Sequence, residues 1–144
     1  MTRTLASLEE LVEEARLLAK RLSPKEGRAT LVTLSGELGA GKTTFVQALA
    51  SALGVTEHVT SPTFVLAKTY SLSGQSFSKV VHIDAYRLNK GADLKSIGFD
   101  EAYTEPGTLI VFEWPERVEE GLPAADIEIA LTVTPEEHRI ISYA

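Results

Sequence analysis

A chain of 144 residues that is 44% hydrophobic and 24% charged is long enough to bury one sizeable core, and its composition is that of neither a disordered nor a fibrous protein. It contains no cysteine, which excludes a disulfide framework, a thiolate zinc site and a cysteine nucleophile, and fits a cytoplasmic protein. The net charge of −6 works against gripping a nucleic-acid backbone alone, so any RNA role requires a partner. No apolar run approaches membrane-spanning length, and the acidic, periodic N-terminus does not read as a signal peptide.

Ser7 followed three residues later by Glu10 makes a capping box, after which Leu8, Leu11, Val12, Ala15, Leu18, Ala19 and Leu22 recur at helical spacing. This predicts an amphipathic helix packed on a sheet, with acids early, Arg16, Lys20 and Arg21 late, and a stop at Pro24 and Gly27. Residues 29–35 are short, β-branched and flanked by glycines, so they read as a strand that runs into the glycine-rich stretch GELGAGKTTF. A helix over 44–53 follows, with Gly54 as its left-handed cap. Residues 63–72 and 79–83 read as an antiparallel hairpin around a turn at 73–76. A helix is predicted over 92–103, and LIVF at 109–112 has the fully apolar character of a strand covered on both faces. Ile127, Ile129, Leu131 and Val133 then alternate with small or polar residues, and a TPEEH turn leads into RIISY, which predicts a closing hairpin.

Gly36, four residues, then Gly41-Lys42-Thr43 matches the phosphate-loop pattern in full, with the strand before and the helix after that the motif requires. Glycines let the backbone wrap a phosphate chain, and the helix start adds its positive dipole end. Lys42 can reach the β and γ phosphates and the Thr43 hydroxyl can ligate Mg2+. The expected fold is α/β, a three-layer P-loop NTPase-like domain with a largely parallel central sheet plus antiparallel hairpins, residues 1–144 forming a single domain.

Phosphoryl transfer also needs acids, and Asp84 after VVHI and Glu113 after LIVF each emerge where an apolar strand stops. Either can be the acid on the metal side. Ser61-Pro-Thr-Phe64 lies where a nucleotide-sensing loop would approach the γ phosphate, or forms a plain turn into the next strand. Trp114 directly follows Glu113, and packing is its simplest use. His58, His82 and His138 lack ligand spacing and read as structural or surface residues. A GTPase is disfavoured because the segment 89–93 has one residue too many for the guanine-reading motif. A small-molecule kinase remains open, although Arg87, Arg117 and Arg139, the only arginines after the loop, form no cluster. The residues by themselves lead to a small Mg2+-dependent nucleotide-binding domain.

The motifs GELGAGKTTF, SPTF, HIDAYRL and FEWPE, in this order and at this spacing, resemble the bacterial TsaE family, also called YjeE, from the leading helix through the terminal hairpin. The resemblance implies an ATPase that uses ATP/ADP and Mg2+ and is required for threonylcarbamoyladenosine formation beside the anticodon of tRNA. It implies work as a nucleotide-driven switch with TsaD, the transferase, and TsaB, with tRNA met only through that complex and no membrane involved. Carried over residue by residue, the phosphate loop puts Gly36, Leu38, Gly39, Ala40, Gly41, Lys42, Thr43 and Thr44 on the nucleotide. Lys42, Asp84 and Glu113 become the catalytic set, and Thr43, Asp84 and Glu113 the metal candidates. Trp114 becomes an aromatic neighbour of the nucleotide, and Ser61 and Thr63 belong to a switch-like loop.

Overall fold

The computed structural model describes residues 1–37, 39–57, 59, 67–88 and 91–144. Leu38, His58, Ser61 and Thr63 therefore lie outside the described residues, as do 89–90 and the first four positions of the strand expected over 63–72. Seven strands form one sheet: β1 (Thr2–Leu5), β2 (Thr30–Ser35), β3 (Ala67–Ser71), β4 (Lys79–Asp84), β5 (Thr108–Glu113), β6 (Ile127–Val133) and β7 (Arg139–Tyr143). Their spatial order is β1-β7-β6-β2-β5-β4-β3. The four central strands β6, β2, β5 and β4 are parallel, and the antiparallel partners β7, β1 and β3 occupy the two flanks, as the expected fold requires.

The parallel centre is a consequence of side chains that suit burial on both faces. All six residues of β5 are buried. Leu109 and Val111 join Val32, Leu34 and Val80 beneath helices α1 (Leu8–Arg21) and α2 (Lys42–Leu53). Ile110 and Phe112 point the other way, to Leu31, Ile83, Leu94, Phe99 and Val118. Period-2 alternation thus builds two apolar layers on one sheet, each fully buried Leu, Ile or Phe contributing about 1.5–3 kcal/mol. At the start of β6, the Arg28 guanidinium donates two bonds of 2.9 Å to Asp126, whose Oδ2 also accepts the Leu31 N–H at 2.8 Å. This clamp pins β6 beside β2.

The capping box forms, with a shift. The Ser7 hydroxyl accepts from the Glu10 N–H at 3.2 Å, and the Glu10 carboxylate accepts from the Ala6 N–H, one residue earlier than the usual reciprocal bond. Leu11, Ala15, Leu18 and Leu22 are buried as expected, but Leu8 and Val12 are 62% and 42% exposed. The apolar stripe is therefore wider in the sequence than the face α1 buries. Gly54 takes the left-handed conformation at φ 109 after α2, as the cap required. The single helix expected over 92–103 is instead a 3₁₀ turn, Gly91–Ile97, followed by α3, Phe99–Tyr103. Gly98 divides them because its φ of 75 lies outside helical space. Strand β1 was not anticipated. Its first three residues are exposed, so no apolar alternation announces it, and it exists through pairing with β7.

Candidate phosphate-loop site

The C-terminal ends of the parallel strands are in register, with Leu34 opposite Glu113 and Asp84 opposite Glu113. Two further bonds extend this rim past the strands, from Trp114 N–H to Leu34 O at 3.2 Å and from Ala85 N–H to Glu113 O at 3.0 Å. The glycine loop leaves β2 at the same rim and turns into α2 at Gly41, where φ is 99. Gly36 is required by space as well as by backbone angle. A Cβ there would lie 2.5 Å from the Leu131 carbonyl oxygen of β6.

Lys42, Thr43, Thr44, Asp84, Glu113 and Trp114 line one cleft of about 340 Å³, together with Glu37, Gly39, Gly41 and Arg139. Most of the residues expected from sequence are thus brought together. Gly36 lines a neighbouring cavity with Glu37, Tyr86 and Trp114, and Ala40 is buried at 1% exposure, so neither lines this cleft.

Lys42 is buried and internally satisfied. Its ammonium donates to Gly36 O and, at 3.2 Å, to Glu37 O, and lies 3.9 Å from the centre of the Trp114 ring. Burial pushes its pKa down, while the charges of Glu113, Glu116 and Asp84 oppose that shift. Burial pushes the Asp84 carboxyl up, the Tyr86 N–H at 2.9 Å on its Oδ1 offsetting only part of the effect. Such a carboxylate gains from the arrival of a cation. Glu113 is buried, and its Oε2 lies 2.5 Å from Nε2 of His82, itself fully buried. Trp114 holds a left-handed backbone at φ 62, a strained position for a large residue, and its ring packs against Tyr86 at 4.9 Å with the Arg117 guanidinium over both rings.

Two residues matter more here than the sequence reading allowed. Arg139, taken as one of three scattered arginines, donates from Nε to Ala40 O at 3.2 Å and from Nη2 to Gly39 O at 3.3 Å, bracing the loop from β7. His82, read as structural or surface, contacts Glu113. Strand period carried the signal for it, since His82 sits two residues before Asp84 on the same face of β4. No pattern in the sequence announces the Arg139 contact, which spans about a hundred residues of chain.

Among the described residues no group of three or more His, Asp or Glu could hold a metal ion by itself. The donors present, a Thr43 hydroxyl and the Asp84 and Glu113 carboxylates, fit an ion that arrives with phosphates. Mg2+ is held that way, by one or two carboxylates, phosphate oxygens and water. No helix among the described residues is long and apolar enough to cross a membrane.

The profile of the family described as "Threonylcarbamoyl adenosine biosynthesis protein TsaE" matches residues 5–141. A Bacillus subtilis protein named tRNA threonylcarbamoyladenosine biosynthesis protein TsaE is 34% identical over 131 residues, covering 91% of this chain and 79% of that protein. The Streptomyces coelicolor protein of the same name is 45% identical over 107 residues, or 73% of this chain and 70% of that one. The crystal structure of Bacillus subtilis YdiB superposes with a TM-score of 0.78 at 30% identity, across 99% of this chain and 83% of its own. Profile, relatives and fold agree along nearly the whole length, and the chain belongs to the TsaE family.

Proposed function

We propose that this chain is a Mg2+-dependent ATPase serving tRNA threonylcarbamoyladenosine biosynthesis, a cytoplasmic nucleotide-driven switch on an assembly of TsaD and TsaB, with residues 1–144 acting as one domain. The process is the one its relatives are named for. The observation that supports the chemistry is the meeting of Lys42, Thr43, Asp84 and Glu113 in one cleft at the C-terminal ends of parallel strands, where α/β sheets bind ligands.

In this reading Lys42 leaves the Gly36 and Glu37 carbonyls for the β and γ phosphates of ATP. The loop from Gly36 to Thr44 wraps those phosphates with backbone N–H groups. Thr43 and Asp84 hold Mg2+, which when bound neutralises phosphate charge and orients the terminal group. Glu113 aligns the attacking water, and Trp114 covers the phosphate side of the cleft. For Ser61 and Thr63 the proposal rests on the motif alone, as hydroxyls that sense the terminal phosphate. The net charge of −6 argues that tRNA is reached through the partners.

The test is phosphate release from Mg-ATP by this chain alone and with purified TsaB and TsaD, with Lys42→Ala as blank. Release that rises with the partners and disappears in the variant supports the reading. Release that stays at the blank level in both conditions moves it to a nucleotide-holding adaptor, and a phosphorylated metabolite as product would make it a kinase.

A further inference from the structure

We propose that His82 is the positioning residue for Glu113, holding one carboxylate oxygen so that the other is presented to the attacking water. The inference rests on the reading of Glu113 as the residue that aligns water. It starts from the cost of the position. His82 sits inside the sheet on β4, opposite Val111 of β5 and Lys68 of β3, with no exposed surface. A valine or leucine would fill such a site without burying polar atoms. Its ring has one partner among the described residues, Glu113 Oε2 at 2.5 Å, while Nδ1 is buried with none.

That asymmetry assigns the tautomer. With the proton on Nδ1, a buried donor would be orphaned and Nε2 would turn a lone pair towards a carboxylate. With the proton on Nε2, the ring donates to Glu113 and only a bare lone pair is left without a partner, the less costly arrangement. Among the described residues no other hydrogen bond ties down the Glu113 carboxylate, so Oε1 remains the oxygen available to water. A glutamate side chain has three rotatable bonds, and a misplacement of about 1 Å in a reacting group can cost on the order of 10²-fold in rate. The buried imidazole removes that freedom. It touches neither nucleotide nor metal in this scheme and acts through Glu113.

The experiment compares wild type with His82→Leu, which removes the donor, and His82→Gln, which restores an N–H near the place of Nε2. We would measure kcat and KM for Mg-ATP with the partners present, ADP affinity by calorimetry, and the histidine nitrogens of the wild type by long-range 1H–15N spectroscopy. His82→Leu is expected to lower kcat about 10- to 100-fold while KM and ADP affinity move less than about threefold. His82→Gln is expected to recover most of kcat, and the spectrum to show the Nε2–H tautomer. The proposal is overturned by an unchanged kcat in His82→Leu, by ADP affinity lost in proportion, by His82→Gln as slow as His82→Leu, or by an Nδ1–H tautomer. Should His82→Leu not fold, His82→Asn, whose amide stops short of Glu113, takes its place. A wild type that releases no phosphate sinks the ATPase reading instead, and the positioning of Glu113 then stands or falls on the spectrum.

Discussion

Gly36→Ala perturbs the phosphate loop at the point where the structure leaves least room. The added Cβ would lie 2.5 Å from the Leu131 carbonyl oxygen, whereas an ordinary contact begins at 3.4 Å, so something must move by about 0.9 Å. Leu131 is the rigid side of this contact. It is fully buried in β6, which is paired on one side with β2 and on the other with β7, where Leu131 faces Ile141. The loop must therefore yield, and Gly36 O is an acceptor for Lys42 Nζ. Overpacking costs about 1–3 kcal/mol, and the φ of 153, unfavourable to an L side chain, adds about 1 kcal/mol. Gly39→Ala is the control, because Gly39 also has a positive φ of 81 but nothing within 4 Å of its Cβ position, so only the backbone cost of about 1 kcal/mol remains. Urea unfolding should place Gly36→Ala about 2–4 kcal/mol below wild type and clearly below Gly39→Ala. Calorimetry with ADP should show at least a tenfold loss of affinity for Gly36→Ala, tenfold corresponding to about 1.4 kcal/mol. Equal stability of the two variants, or full ADP affinity in Gly36→Ala, would refute the close-approach argument.

Arg139→Ala removes the two bonds that hold the Ala40 and Gly39 carbonyls on the β7 side of the loop. Because a peptide plane is rigid, fixing the Ala40 carbonyl fixes the Gly41 N–H, and ADP affinity measured by calorimetry should fall about tenfold with stability lowered by only about 1 kcal/mol. The Arg28 guanidinium, bonded to Asp126, holds that carboxyl below its ordinary value of 3.8. A depressed pKa contributes stability that is fully present above the ordinary value and is lost as pH falls through the folded one. The stability gap between wild type and Asp126→Asn, followed by urea unfolding, should be constant at about 1–3 kcal/mol from pH 7 to 5 and close below pH 4, and a gap that does not change with pH would refute the assignment.

The central strands and the glycine loop were legible because local chemistry and global fold agree there. LIVF has the apolar character of a strand covered on both faces, and Gly41-Lys42-Thr43 needs a strand before it and a helix after. Where the reading departed from the fold, tertiary partners had replaced local pattern. Thr2 to Leu5 carry no apolar alternation and become a strand only by pairing with a segment over a hundred residues away. Leu8 and Val12 keep helical spacing with Leu11 yet face outward, because spacing defines a stripe but not how much of it a neighbour covers. The helix expected over 92–103 is split at Gly98, whose backbone is left-handed. In the site, the acids were visible as charged residues closing apolar strands. Their supports were harder to see: Arg139 joins the loop only through contacts that the chain makes once folded, and His82, although it opens the HIDAYRL motif, shows its role only through its contact with Glu113.

The contacts of Lys42 bear on what nucleotide binding would have to accomplish under the proposed function. The ammonium of Lys42 is held by two carbonyls and the face of Trp114. On the proposed function, a phosphate chain would exchange partners with these groups. The present bonds have a charged donor and neutral acceptors, whereas phosphate oxygens are charged as well, so in that reading the exchange would run toward the nucleotide with a net gain smaller than a free lysine would give. Releasing Lys42 also uncovers the ring of Trp114, whose left-handed backbone joins β5 to the turn at Pro115–Arg117. On the proposed function, occupancy of the cleft would thereby be coupled to the rim that carries Tyr86, Glu116 and Arg117, the partly exposed surface on which a partner would read the bound nucleotide.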